Sequence, residues 1–305
     1  MNSPHKKIMV FLALTIASSS IFYYLIVSAG KLELGPVFGL MWCPGLAAIV
    51  TQLCFHRTFR GLAWKPGRAK YLLLAYVLPI GYGLVAYGII WLTGLGSLDS
   101  SELVAQASAH IAPQISSPVT LMLIYLGFVV TLGTLQNLLF ALGEEIGWRG
   151  LLVPELSKVN SFTKTALISG AIWALWHYPL VLLADYHNQG APVWFGLICF
   201  TVMVLGLGFV FAWMRLRSGS LWATVVLHAS HNLFIQNVFT PLTPGNALTP
   251  YFIGEFGLML PLVTIVIAYV FWRKRRAVEC GTARDQLEQE SQTRGGPKGA
   301  AALSG

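Results

Sequence analysis

Charge is scarce in this chain. Aspartate, glutamate, lysine and arginine make up 10% of its 305 residues while 55% are hydrophobic, whereas soluble domains carry about 25% charged residues. A water-soluble globular fold is therefore excluded. Cysteine is also sparse. Cys43, Cys54, Cys199 and Cys280 show no metal-site spacing and three of them fall in apolar runs, so they read as packing residues or a tail thiol rather than as a zinc or disulfide framework. Long polar segments are missing too: the largest loop, 96–117, is too short to fold alone. No internal repeat is evident. The chain holds neither G-x-S-x-G nor H-E-x-x-H, which removes the nucleophile-elbow serine hydrolases and the zincins.

What is present is apolar length. Eight windows, near 8–29, 36–55, 71–95, 118–143, 163–184, 192–214, 220–239 and 251–272, can each cross a hydrocarbon core of about 30 Å as a helix. The expected fold class is all-α, a polytopic membrane bundle of about eight transmembrane helices over residues 1–272. Pro44, Pro79, Gly83, Pro179 and Pro261 do not oppose helix here, because neighbouring helices satisfy the backbone groups they free. The first window follows Lys6 and Lys7 as a secretory signal would. Its apolar character nevertheless persists through Phe22, Tyr23, Tyr24 and Val27, beyond the roughly 7–15 residues of a signal core, so an uncleaved span is expected.

Charge placement orients the spans. With the N-terminus inside, segments 1–7, 56–70, 144–162, 215–219 and 273–305 are cytoplasmic. They hold every Lys and Arg except Lys31 and Lys164, the latter at the inner edge of the fifth window. Glu33, Asp99, Glu102 and Asp185 fall on the other side. The positive-inside rule then places both termini in the cytoplasm, at the plasma membrane if the cell is bacterial. Basic loops against anionic headgroups account for the net charge of +8, with membrane lipids as partners and no need for nucleic acid. Residues 277–305 are polar, glycine-rich and aperiodic, and are expected to form a disordered tail.

An ionisable group in a membrane span points to function. Four places qualify: Glu144, Glu145 and Arg149 at the inner end of the fourth window; Trp173 and His177 in the fifth; His228, His231 and Asn232 in the seventh; and Glu255 in the eighth. If the fourth helix continues past its inner end, Glu145 and Arg149 stand at i and i+4 and can pair, with Glu144 turned about 100° away. Pro179 frees a carbonyl near His177. His228 and Asn232 share a helix face, with His231 about 50° off it. Glu255 reads as an interfacial carboxylate. Counted from the window ends, His228 lies roughly 12 Å deep and His177 roughly 20 Å deep, with Glu144 near the surface. These groups meet only if a water-filled cavity opens from the cytoplasmic side and the end of the fourth span, or the loop after it, dips inward; the amphipathic stretch "GWRGLLVPEL", ended by Pro154, is the candidate for such an interfacial or re-entrant segment.

"EEIGWR", "WALWH" and "HASHN" fit, in order, the motifs EExxxR, aromatic-xxx-His and HxxxN. The chain thereby resembles the CAAX protease and bacteriocin-processing family of intramembrane proteases (the ABI or CPBP family), which includes the Ras-converting prenyl endopeptidases. The likeness covers roughly 140–235. It implies a helical bundle with a conical cavity open to the cytoplasm. Glu144 and His177 would polarise the attacking water, His228 and Asn232 would hold the oxyanion, and Glu145 and Arg149 would support the site. Trp173 stands where family members often carry Phe, a departure that bears on packing rather than on chemistry.

The residues themselves suit that reading. Peptide hydrolysis needs a base, oxyanion donors and a proton for the leaving amine. Two mechanisms stay open: a metal-free glutamate mechanism, which is preferred, and a zinc or other divalent metal site built from Glu144, His177 and His228 with a fourth position for water. The expected activity is an endopeptidase acting on a membrane-associated peptide or protein, such as a prenylated CAAX-type C-terminus. A proton-coupled transporter would also place Glu and His in spans, though with broken helices in matching halves. A non-enzymatic immunity or scaffold protein is the third class.

Overall fold

The computed structural model describes residues 3–110 and 114–279. In chain order the helices are α1 (Pro4–Ala29), α2 (Leu34–His56), α3 (Ala69–Thr93), the short α4 (Ser101–His110), α5 (Pro118–Ser157), α6 (Phe162–Leu183), α7 (Val193–Ser218), α8 (222–239) and α9 (Met259–Arg273). No strand occurs among the described residues. Six helices, all but α4, α8 and α9, are long and apolar enough to cross a membrane. The protein is an all-helical, multi-pass membrane bundle. Exposed leucines, isoleucines and valines stud the outer faces of α1, α3 and α5, as they do where lipid rather than water is the solvent.

Six windows match their helices within four residues at either end. The fourth does not. The chain does not leave the helix at residue 143 but continues to Ser157, 40 residues in all, or about 60 Å. Two π-helical stretches, Val129–Gly133 and Ile146–Leu152, are built into it. Glu144 thus precedes the end of α5 by 13 residues, roughly 20 Å, and is not at the surface. Residues 146–153 are all buried, so "GWRGLLVPEL" is neither interfacial nor re-entrant, and Pro154 does not end the helix.

Small residues drive α5 inward. A Cβ on Gly143 would stand 2.7 Å from the Met41 carbonyl oxygen, and one on Gly147 would stand 2.5 Å from Pro44 Cβ. Gly143 and Gly147 form a G-x-x-x-G pair that lets the α5 backbone press on α2, as small-residue seams do between membrane helices. The two glutamates lie between these glycines, so this seam carries them into the bundle.

The last span also differs from expectation. Residues 240–258 run as turns with one 3₁₀ turn, Thr249–Tyr251, and the helix begins at Met259 rather than near 251. The 96–117 loop contains α4, packed on the first turns of α5 through Leu103, Ala107, Leu121 and Tyr125. Residues 276–279 add a helical turn after α9; Cys280 and the rest of the expected disordered tail lie outside the described residues.

The basic connections 57–68 and 158–161 share one end of the bundle with the start of α1 and the end of α9. Segments 30–33, 184–192 and 240–258 occupy the opposite end.

Candidate active site

The charged residues of α5 are fully withdrawn from solvent: Glu144, Glu145 and Arg149 are each 1% exposed or less. Bare charges at that depth would cost several kcal/mol each, and the surrounding side chains show how the cost is offset. Glu144 Oε2 accepts hydrogen bonds from the indole of Trp148 at 3.2 Å, one turn along α5, and from the indole of Trp173 on α6 at 2.8 Å. Its other oxygen is bonded by no protein group among the described residues, and Glu144 lines a central cavity of about 420 Å³.

Glu145 points to the other side of the helix. Its Oε1 accepts from Arg149 Nη1 at 2.6 Å and from His228 Nδ1 at 3.0 Å. The i, i+4 pair read from the sequence is therefore formed, in spite of the π-helical turn between the two residues. The Arg149 guanidinium packs against two aromatic rings set edge-on to one another, 4.2 Å from the Trp173 ring centre and 4.0 Å from that of Phe211, an arrangement worth about 0.5–2 kcal/mol per ring. Arg215 caps it from the basic end, donating from Nε to the Arg149 carbonyl at 2.8 Å.

Trp173 is the hub that joins the helices. Its carbonyl accepts from His177 Nδ1 at 2.9 Å, so in the neutral ring the proton sits on Nδ1 and Nε2 carries the lone pair. This carbonyl belongs to the residue four before His177 and is not the one Pro179 frees. The His228 ring stands edge-on to the Trp173 ring at 5.4 Å. Its indole bond to Glu144 is one that Phe cannot make, so the departure at this position bears on chemistry as well as packing.

His177, His228 and Asn232 line the same cavity as Glu144. Asn232 opens the π-helical half of α8 (Asn232–Phe239), and its amide has no protein partner among the described residues. His231 behaves differently. It is held between Tyr82, whose hydroxyl meets Nδ1 at 2.5 Å, and Glu255, which accepts from Nε2 at 2.9 Å. Glu255 is accordingly not an interfacial carboxylate: it is 8% exposed, lines the cavity, and also accepts from Gln236 and Tyr186. Burial, and then the Glu255 charge, push the Tyr186 phenol well above its ordinary range, so it stays a donor. The Tyr186 ring stacks on His177 at 6.5 Å.

The exposed lining residues Leu32, Leu34 and Phe128 mark the mouth. They lie toward the end opposite the basic loops and both described chain ends. As for a metal, no group of three His, Cys, Asp or Glu side chains among the described residues is placed to hold one. Glu144 Oε2 is engaged by two indoles, His177 Nδ1 by the Trp173 carbonyl and His228 Nδ1 by Glu145, so a metal held by these three residues would bind through Glu144 Oε1 and the two Nε2 atoms.

Sequence reasoning missed Trp148, Tyr82, Tyr186 and Gln236. An indole at i+4 from Glu144 was the one local signal for any of them.

The family described as Type II CAAX prenyl endopeptidase Rce1-like matches residues 125–234. Among curated proteins, CAAX prenyl protease 2 of Methanococcus maripaludis is 33% identical over 100 residues, 32% of this chain. The matched stretch spans 36% of that relative's length. All three motifs, from Glu144 to Asn232, fall inside the matched segment. Over that segment the chain is similar to the CAAX prenyl endopeptidases of the CAAX protease and bacteriocin-processing family, the same family its motifs resemble.

Proposed function

We propose that this protein is an intramembrane endopeptidase that hydrolyses a peptide bond of a membrane-associated substrate with water activated by Glu144 and His177. One observation carries the reading: a buried carboxylate held through one oxygen by two indoles faces, with its other oxygen, a cavity it shares with His177, His228 and Asn232.

Glu144 takes a proton from water while His177 Nε2 accepts a hydrogen bond from the same molecule. The hydroxide equivalent adds to the carbonyl carbon. The tetrahedral oxyanion is met by the Asn232 amide and by Nε2–H of His228, whose Nδ1–H is held by the Glu145 carboxylate. Glu144 then passes its proton to the departing amine, and the C–N bond breaks. Donors set in place before reaction, in a site that excludes bulk water, are the largest catalytic contribution in such chemistry. Glu145 and Arg149 act as positioning residues for His228 and Trp173.

The archaeal relative's name brings a prenylated CAAX C-terminus into the substrate class. A peptide leader or another membrane-embedded segment has the same chemistry at the scissile bond. The positive-inside rule puts the basic end of the bundle in the cytoplasm, and the mouth then opens into the opposite leaflet.

The test is cleavage by protein reconstituted in liposomes, offered prenylated and unprenylated membrane peptides. Glu144→Gln and His177→Ala abolish turnover. Glu144→Gln keeps an acceptor for both indoles and so leaves expression and melting unchanged. A chelator leaves the wild-type rate as it was. Cleavage at the native rate by Glu144→Gln would overturn the reading.

A further inference from the structure

At the basic end, away from the cavity, α3, α7 and the end of α9 converge on a groove of about 530 Å³. Four cations surround it: Lys70 from α3, Arg217 from α7, and Lys274 and Arg276 from the segment following α9. All four are exposed, and no carboxylate among the described residues lines the groove. The floor is aromatic and buried, made by Tyr71 and Trp213, each 8% exposed. The Trp213 indole donates to the Lys274 carbonyl at 3.3 Å, which fixes the end of α9 against α7. Lys70 Nζ lies 5.1 Å from the Tyr71 ring centre.

Like charges gathered from three separate segments repel one another unless an anion sits among them. The surroundings of the groove say which kind. On α3, Leu74 and Val77 follow Lys70 at i+4 and i+7; on α9, Val270 and Val266 precede Lys274 by four and eight residues. All four are exposed apolar side chains, from 37% for Leu74 to 62% for Val266, and α3 packs against α9. Each helix therefore presents a lysine at the membrane boundary and an apolar stripe running inward on the same face. A free phosphate would use only the cations. An amphiphile uses both parts.

We infer that this groove is a binding site for an anionic phospholipid, its phosphodiester among Lys70, Arg217, Lys274 and Arg276 and its acyl chains along Leu74, Val77, Val266 and Val270. Basic pockets between membrane helices on the cytoplasmic side favour such headgroups. The inference stands apart from the proposed peptidase activity, since it shares no residue with the cavity.

The full-length protein in neutral detergent is titrated with phosphatidylglycerol, phosphatidylcholine and inorganic phosphate, with bound lipid counted by native mass spectrometry and melting followed in parallel. Phosphatidylglycerol binds and raises the melting temperature; phosphatidylcholine and inorganic phosphate do neither. In the triple variant Lys70→Gln, Arg217→Gln, Arg276→Gln, affinity for phosphatidylglycerol falls on the order of 100-fold, at about fivefold per basic residue. The matched variant Arg57→Gln, Arg60→Gln, Lys65→Gln, in a basic connection outside the groove, retains it. A photoactivatable phosphatidylglycerol on the wild-type chain labels α3 and α9 near Leu74 and Val270, so the site remains testable should the triple variant fold poorly. Equal loss in both variants, stabilisation by inorganic phosphate alone, or labelling spread evenly over the basic end would overturn the proposal.

Discussion

Replacing Glu145 by Gln leaves the Arg149 guanidinium, 1% exposed, against two aromatic rings without the carboxylate that accepts its hydrogen bond. Two unit charges about 4 Å apart attract by about 4 kcal/mol at an effective dielectric near 20. Stranding one partner of a buried pair costs about 3–5 kcal/mol, so the two routes agree. Arg149→Met should cost less, because Glu145 keeps His228 Nδ1 at 3.0 Å as a compensating partner and the methionine packs against Trp173 and Phe211. The double variant removes both members of the pair at once. It should therefore be more stable than the sum of the single losses allows, by a coupling of about 2–3 kcal/mol. Denaturant unfolding in mixed micelles of all four proteins measures the cycle. Additive losses, or a Glu145→Gln protein within about 1 kcal/mol of wild type, would refute the idea that this pair holds α5 in the bundle.

Trp173→Phe keeps a ring over Arg149 but removes the 2.8 Å donor to Glu144. Since hydrogen bonds to charged groups are worth about 1.5–3 kcal/mol, turnover should fall roughly tenfold or more with melting little changed; an unaltered rate would reduce the indole to packing. His228→Ala and Asn232→Ala should each leave measurable cleavage, on the order of 10²–10³ below wild type, whereas complete loss in both would place these residues in the water-activating step. In right-side-out vesicles, Leu34→Cys should react with an impermeant thiol reagent while reporters fused to both termini read as cytoplasmic. Labelling of Leu34→Cys only after permeabilisation would reverse the orientation.

Much of this was legible in the residues, for a physical reason. Hydropathy reports which segments can sit in hydrocarbon, and α1, α2, α3, α6 and α7 have little else to decide their limits. It fails at α5 because a transfer scale charges for Glu144, Glu145 and Arg149 as though each were alone. Their partners, the Trp173 indole, the Trp148 indole and His228, are supplied by the fold. Glu255 was misplaced for the same reason: the donors that make its burial tolerable, His231, Gln236 and Tyr186, come from other segments. The G-x-x-x-G pair at Gly143 and Gly147 was visible in the sequence. Its meaning required knowing that Pro44 and Gly45 lie across from it. The motif order located Glu144, His177, His228 and Asn232 on one cavity; which of their atoms remain open to it could only come from the arrangement around Trp173.

The size of the central cavity restricts how a chain can be presented to Glu144. A helical turn is about 10 Å across with its side chains and 5.4 Å tall, a bulky object beside a central cavity of about 420 Å³. To bring a peptide bond to Glu144 under the proposed activity, a substrate helix would give up internal hydrogen bonds there. Unwinding in a lipid environment is costly, because the released backbone groups find no water. Chains that arrive already extended, such as a frayed terminus or a stretch broken by glycine or proline, avoid that cost. Under the proposed peptidase activity the pit would therefore discriminate by secondary structure, with side chains at the scissile bond second to whether the backbone there can straighten.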